Sequence, residues 1–148
     1  MSLEVLEICP IGIVREIMNG IMEVKNAVVK RLREDATLMA KVQAVFDREP
    51  EVRVFPYVMV ADLQSANLPA HEIWAEAVTG AIEIYAKQNK DRAIEAIGIV
   101  QTLVHQFEFG LEGFENINSR VILVSIEDAR EKDVFKAVVE FRIVIQEI

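Results

Sequence analysis

Cysteine, histidine, glycine and proline are all scarce in this chain of 148 residues, which has one Cys, two His, six Gly and four Pro. With Cys9 as its lone thiol, the chain excludes an internal disulfide and any metal site built from several cysteines, and a reducing compartment fits it best. No Pro/Gly/Ser-rich linker, internal repeat or low-complexity tract divides the sequence, so one domain is expected. Positive charge is also in short supply. Sixteen Lys/Arg against 24 Asp/Glu give a net charge of −8, and both halves are acidic, with 8 basic and 11 acidic residues in 1–74 and 8 and 13 in 75–148. A surface that reads or wraps nucleic acid needs clustered basic residues to meet phosphates, so such modules are disfavoured. Met1 to Val14 carries Glu4 and Glu7 and no Lys or Arg, unlike the basic start of a secretory signal. The longest uncharged helical run, Ala96 to Phe107, has twelve residues, short of the ~20 needed to span a bilayer. No membrane partner is expected.

What remains is 52% apolar and 27% charged residues, a composition that favours burial over disorder. Apolar residues at 13, 14, 17, 18, 21, 24, 28, 29 and 32 predict a helix over Ile13 to Arg33, with Gly20 either kinking it or marking its real beginning. A second short helix is expected over Ala36 to Val42, with Asp35 as N-cap. Gln43 to Phe46 reads as a small strand, Arg48 to Arg53 as a turn, and Val54 to Leu63 as a strand whose Pro56 belongs at its first residues or on an edge. Gln64 to Val78 has little regular period, and part of it reads as a long hairpin tip. Thr79 to Lys87 alternates as a strand with Ile82, Ile84 and Ala86 toward the core. Asn89 or Asp91 caps the next helix, whose apolar positions run from Ala93 to Phe107 until Gly110 and Gly113 end it and open a loop through Asn118. Arg120 to Ala129 and Val134 to Ile148 read as a hairpin turning at Arg130 to Asp133, with Phe135, Ala137, Val139, Phe141, Ile143 and Ile145 on one side. The expected class is α+β, a mainly antiparallel sheet of about four to five strands packed against two main helices.

Residues capable of chemistry form no complete pattern. His71-Glu72-Ile73-Trp74-Ala75 begins like the zinc-protease helix, but Ala75 stands where the second histidine must be. His105 falls within the predicted helix and reads as a hydrogen-bonded core or interface residue. Gly110-Leu111-Glu112-Gly113 resembles a nucleic-acid clamp, yet its glutamate would repel the backbone, and a helix stop is the stronger reading. GxGxxG, GxxxxGK and GxSxG are all missing. Cys9, beside Pro10, reads as inert. The pairs Glu34/Asp35, Glu127/Asp128 and Glu131/Asp133 fall at predicted helix ends and turns, where solvated acids are the bland explanation. No catalytic residue, cofactor or metal is expected.

From about Ala27 onward, four fifths of the chain, the sequence resembles the tail-completion, or head–tail joining, proteins of long-tailed bacteriophages, prophages and gene transfer agents. The resemblance is carried by LREDATLMAKV, the strand opening FPYVMV at 55–60, GAIEIYAK at 80–87, DRAIEAIGIVQTLV at 91–104 and the closing VFKAVVEFRIVIQEI. Two departures are Met1 to Asn26, a partly helical N-terminal extension before a domain at 27–148, and the turn AREKD, which lacks the glycine often found there. The resemblance implies a structural, non-enzymatic subunit of a homo-oligomeric ring, a hexamer, that caps the tail tube and joins it to the head. Its implied partners are copies of itself, the tail-tube protein and the head connector (stopper). Its implied location is the virion's head–tail junction, after assembly in the bacterial cytoplasm. Candidate interface residues are Phe55, Pro56, Tyr57, Gln64, Asn67, His71, Trp74, Val134, Val138 and Val144, together with the stripe of the 91–107 helix, which reads equally well as core. Trp74 and His71 either meet a partner or belong to an ordinary loop with Trp74 folded back. Another neck or minor tail component, such as a connector-adapter, is the second reading, and a host protein-binding module the third. Net acidity would keep DNA from sticking in a channel.

Overall fold

The computed structural model describes residues 20–69, 73–129 and 131–148. Expectations for Cys9, for residues 13–19 of the first helix, for His71 and for Arg130 lie outside the described residues. Helix α1 runs over Gly20–Arg33 and buries Val24, Val28, Val29 and Leu32, the three-and-four spacing that makes one apolar side. Asp35 caps the short α2, Ala36–Met39, its Oδ2 accepting from the Leu38 N–H at 2.8 Å. The helix was expected to reach Val42 but stops at Met39, with Ala40 as C-cap.

Strand β1, Ala44–Phe46, lies parallel to β2, Tyr57–Asn67, and the sheet continues antiparallel through β3, Ala75–Lys87, with β5, Val134–Glu147, inserted between β3 and β4, Phe114–Asp128. The order is β1-β2-β3-β5-β4. Helix α3, Lys90–Val104, starts at Asn89, whose Oδ1 accepts from Asp91 N–H at 3.0 Å. The helices pack on one side of the sheet, so the class is α+β. On that side β5 presents Ala137, Val139, Phe141, Ile143 and Ile145, all fully buried, as its alternation predicts.

Several further boundaries differ from the sequence expectation, and each has a physical cause. Strand β2 begins at Tyr57, after the cis Phe55–Pro56 bond, and runs on to Asn67. A bulge between Ala61 and Gln64, with Asp62 at φ 53°, breaks the period there and hides the second half of the strand. Residues 75–78 belong to β3, which lies at the centre of the sheet and is buried on both sides, so its start shows no alternation.

Helix α3 ends at Val104, six residues before Gly110. The chain turns there to lie along β4, with Gln106 N–H donating to Ser119 C=O at 2.8 Å. Arg31 accounts for the helix end: its Nε donates to the freed Leu103 carbonyl at 3.1 Å and its guanidinium lies 3.7 Å over the Phe107 ring. Most of the loop expected before Asn118 is strand, because two bulges at 116/118 and 121/123 disguise the start of β4. Gly80 lets β2 and β5 close over β3. A Cβ at that position would come within 2.7 Å of the Phe141 ring and 2.9 Å of Leu63.

Candidate functional site

Among the described residues, no group of three or more His, Cys, Asp or Glu side chains could hold a metal ion. Three of the titratable residues singled out in the sequence have structural partners. Asp35 is a cap, Glu131 pairs with Arg53, and His105 caps α3 from outside the helix, its Nδ1 accepting from Val121 N–H at 3.0 Å. Gly110-Leu111-Glu112-Gly113 does not stop a helix. Leu111 bridges to Phe114, and Gly113 takes a positive φ of 82°.

The informative surfaces are the two ends of the sheet and the side facing away from the helices. At one end Tyr57 and Tyr85, opposite each other on β2 and β3, stack with ring centroids 4.9 Å apart. Phe55 and Phe46 pack on Tyr57 at 5.5 and 5.9 Å. Arg53 closes the cluster: its Nε donates to Tyr57 Oη at 2.9 Å and its guanidinium lies 5.0 Å from the Phe55 ring and 5.5 Å from the Tyr85 ring. The same guanidinium pairs with Glu131 in the turn between β4 and β5, so one side chain ties two loops to the sheet.

Beside this cluster the buried Glu83 accepts from Tyr85 Oη at 2.9 Å and pairs with Lys136 at 3.2 Å. Burial, and next the hydrogen bond to Glu83, hold the Tyr85 phenol well above its ordinary ionisation range. Beyond the cluster, Val52 and Val54 point into solvent, 75% and 53% exposed.

At the other end, Trp74 is 50% exposed while its Nε1 donates to Glu76 Oε2 at 2.6 Å. Glu76 is buried, and Ser65 Oγ donates to its second oxygen at 3.0 Å. The carboxylate is wedged beside Gly20 at the start of α1, where a Cβ would overlap it. Glu147 N–H donates to the Trp74 carbonyl at 2.8 Å, and at this end of the sheet Ile73 and Ile148 are both exposed.

The sequence candidates thus separate. Phe55, Pro56 and Tyr57 lie at the Arg53 end, and Gln64, Asn67 and Trp74 toward the Trp74 end, while Val134, Val138 and Val144 line the outer side of β5. Tyr57 and Val134 are each only 1% exposed, and Pro56 is buried too, so within one chain they shape the surface and do not offer contact themselves. The stripe of α3 is core: Ala93, Ala96, Ile97, Val100, Leu103 and Val104 are buried, and Ile94 alone of its large apolar residues is strongly exposed. Sequence reasoning missed Val52 and Val54, for which two apolar residues flanking Arg53, where the predicted turn meets the predicted strand, were the available signal. It also missed Ile122 and Leu123, exposed at a bulge that no periodicity announces.

The family profile described as tail completion protein gp17 matches residues 26–146. A comparison with curated proteins returned no match. Among solved structures, a chain of the virion of a native gene transfer agent particle is similar, at 19% identity and a TM-score of 0.77, over 84% of this chain and 96% of that one. The gp17 protein of bacteriophage SPP1 is similar at 16% identity and a TM-score of 0.60, over 86% of this chain and 90% of that one. With the profile spanning nearly the whole described fold and both structures sharing it, the chain belongs to the gp17 family of phage tail completion proteins.

Proposed function

We propose that this chain is a structural virion protein, the repeating subunit of a closed ring, hexameric in the family's manner, that caps the tail tube and joins tail to head. The observation that carries this reading is the placement of exposed apolar residues at opposite ends of a stiff sheet. Val52 and Val54 stand at one end and Ile73, Trp74 and Ile148 at the other. Strand β3 has 13 residues, which at about 3.3 Å each set the ends roughly 40 Å apart. A joining subunit needs such a pair of separated docking surfaces, one for the tube and one for the head connector, while an enzyme would converge its polar groups on one site.

The side chains that hold each end are polar and internally paired, so the apolar groups are presented on fixed supports. A net charge of −8 lets DNA pass such a ring without adhering to it. The test is mass by light scattering at high protein concentration, alone and with the tail-tube protein. A closed oligomer in either sample is expected. Monomer in both contradicts the reading.

A further inference from the structure

The outer edges of β2 and β4 are each covered along one part by the chain itself and left open along another. On β2, β1 pairs with Tyr57 to Met59, and among the described residues no strand pairs with the outer edge of Gln64 to Asn67. On β4, the segment after α3 covers Asn116 to Val121: Phe109 N–H reaches Asn116 Oδ1 at 2.7 Å, Gln106 N–H reaches Ser119 C=O and His105 takes the Val121 N–H. From Leu123 to Asp128 the outer edge of β4 meets no described strand. Each open stretch begins just past a bulge, at 61/64 and at 121/123. Neither stretch contains Lys or Pro, which commonly guard a sheet edge against pairing, and their charges are confined to Glu127 and Asp128 at the end of the second.

We infer, resting on the ring assembly proposed above, that Leu123–Asp128 of one copy adds to Gln64–Asn67 of the next and continues the sheet from subunit to subunit. Three features select a second copy of this chain as the occupant. Strands β2 and β4 run in opposite directions within the sheet, so stacking one copy's β4 on the next copy's β2 gives an antiparallel pair without turning either sheet over. The apolar layer also continues across the junction. Leu63 at the β2 edge and Val124 and Ile126 on β4 are half-buried at the rims of the same core, on the helix side. On the outer side the exposed Leu123 would lie against Ala66. Finally, the open stretches sit at diagonally opposite corners, so neighbouring copies are offset along the strands by about four to six residues, roughly 15–20 Å. A stagger of this kind is what a sheet needs in order to tilt and close on itself, and the two unlike edges make the contact heterologous, the type that builds rings.

The test uses the full chain with Cys9→Ser and two cysteine pairs, Ala66→Cys with Ser125→Cys and Gln64→Cys with Ser125→Cys, one for each register that keeps these residues on the outer side. Under oxidation one pair is expected to give a ladder of covalent oligomers on a non-reducing gel. The single variants, and a control pairing Ile94→Cys on α3 with Ser125→Cys, are expected to give none. Leu123→Lys, at an exposed position, is expected to abolish the oligomer with the melting temperature unchanged. Rings that form with no ladder from either pair and that survive Leu123→Lys place the contact elsewhere, which overturns the edge pairing and leaves the ring reading standing. Monomer in every sample, including one with tail-tube protein, overturns both.

Discussion

The two ends of the sheet present apolar groups on different kinds of support. At the Arg53 end a single cation, reaching in from the loop before β2, is shared among aromatic faces, a tyrosine hydroxyl and a carboxylate. At the Trp74 end one buried carboxylate receives an indole and a hydroxyl and is wedged beside α1. The first support is distributed and partly solvated, so losing one contact leaves others. The second is concentrated and enclosed, so a disturbance there must be absorbed by the core.

The largest expected effect is therefore at the enclosed support. Gly20→Ala drives a methyl into the Glu76 carboxylate and close to Ile145, and is expected to cost about 1–3 kcal/mol in denaturant unfolding. Arg53→Ala removes the Tyr57 hydrogen bond, the aromatic contacts and the Glu131 pair. It is expected to cost about 1–2 kcal/mol, less than the glycine substitution, and to raise hydrogen exchange in residues 47–56 first. Equal losses from both would erase the distinction between the ends.

Docking sharpens the comparison from the outside. Trp74→Ala is expected to weaken one junction at least tenfold, in line with the weight of exposed aromatic anchors, and the double substitution Val52→Lys and Val54→Lys to weaken the other. Pull-down against tube protein and connector separately reads this out, and a single partner lost by both variants would contradict the division of labour. The smallest effect is a pH dependence confined to the Arg53 end. Because the fold raises Tyr85's pKa, its contribution to stability is complete below the free phenol's value of about 10 and is lost as pH climbs above it. Wild type is expected to lose melting temperature more steeply above pH ~10 than Tyr85→Phe. Parallel slopes would remove Tyr85 from the account.

Much of the fold is legible in the sequence where one physical rule acts alone. From Ala137 to Ile145 the alternation of β5 places its buried residues directly, although Phe135 before them is only half-buried; Asp35 is read correctly, and Asn89 is one of the two caps offered, because an N-cap is a local arrangement. The readings fail where a bulge adds a residue, as at the second half of β2 and the start of β4, and where a strand is buried on both sides, as in β3. The end of α3 is set by Arg31, a residue from a distant helix, and nothing local marks it.

The candidate surfaces were legible in outline only. Trp74 reads in the sequence as either a partner contact or part of an ordinary loop, whereas Arg53 matters because of Tyr85 and Glu131, which the fold alone brings to it. Tyr57 and Val134, conspicuous in sequence, proved to be internal to the chain.

The central claim is that opposite ends of one stiff subunit dock different partners within a ring. Electron microscopy of tail tubes incubated with this protein tests it most directly. A single ring seated on the tube end, with Val52 and Val54 on one rim and Trp74 on the other, is the predicted result. Bare tube ends, or copies scattered along the tube wall, would contradict it.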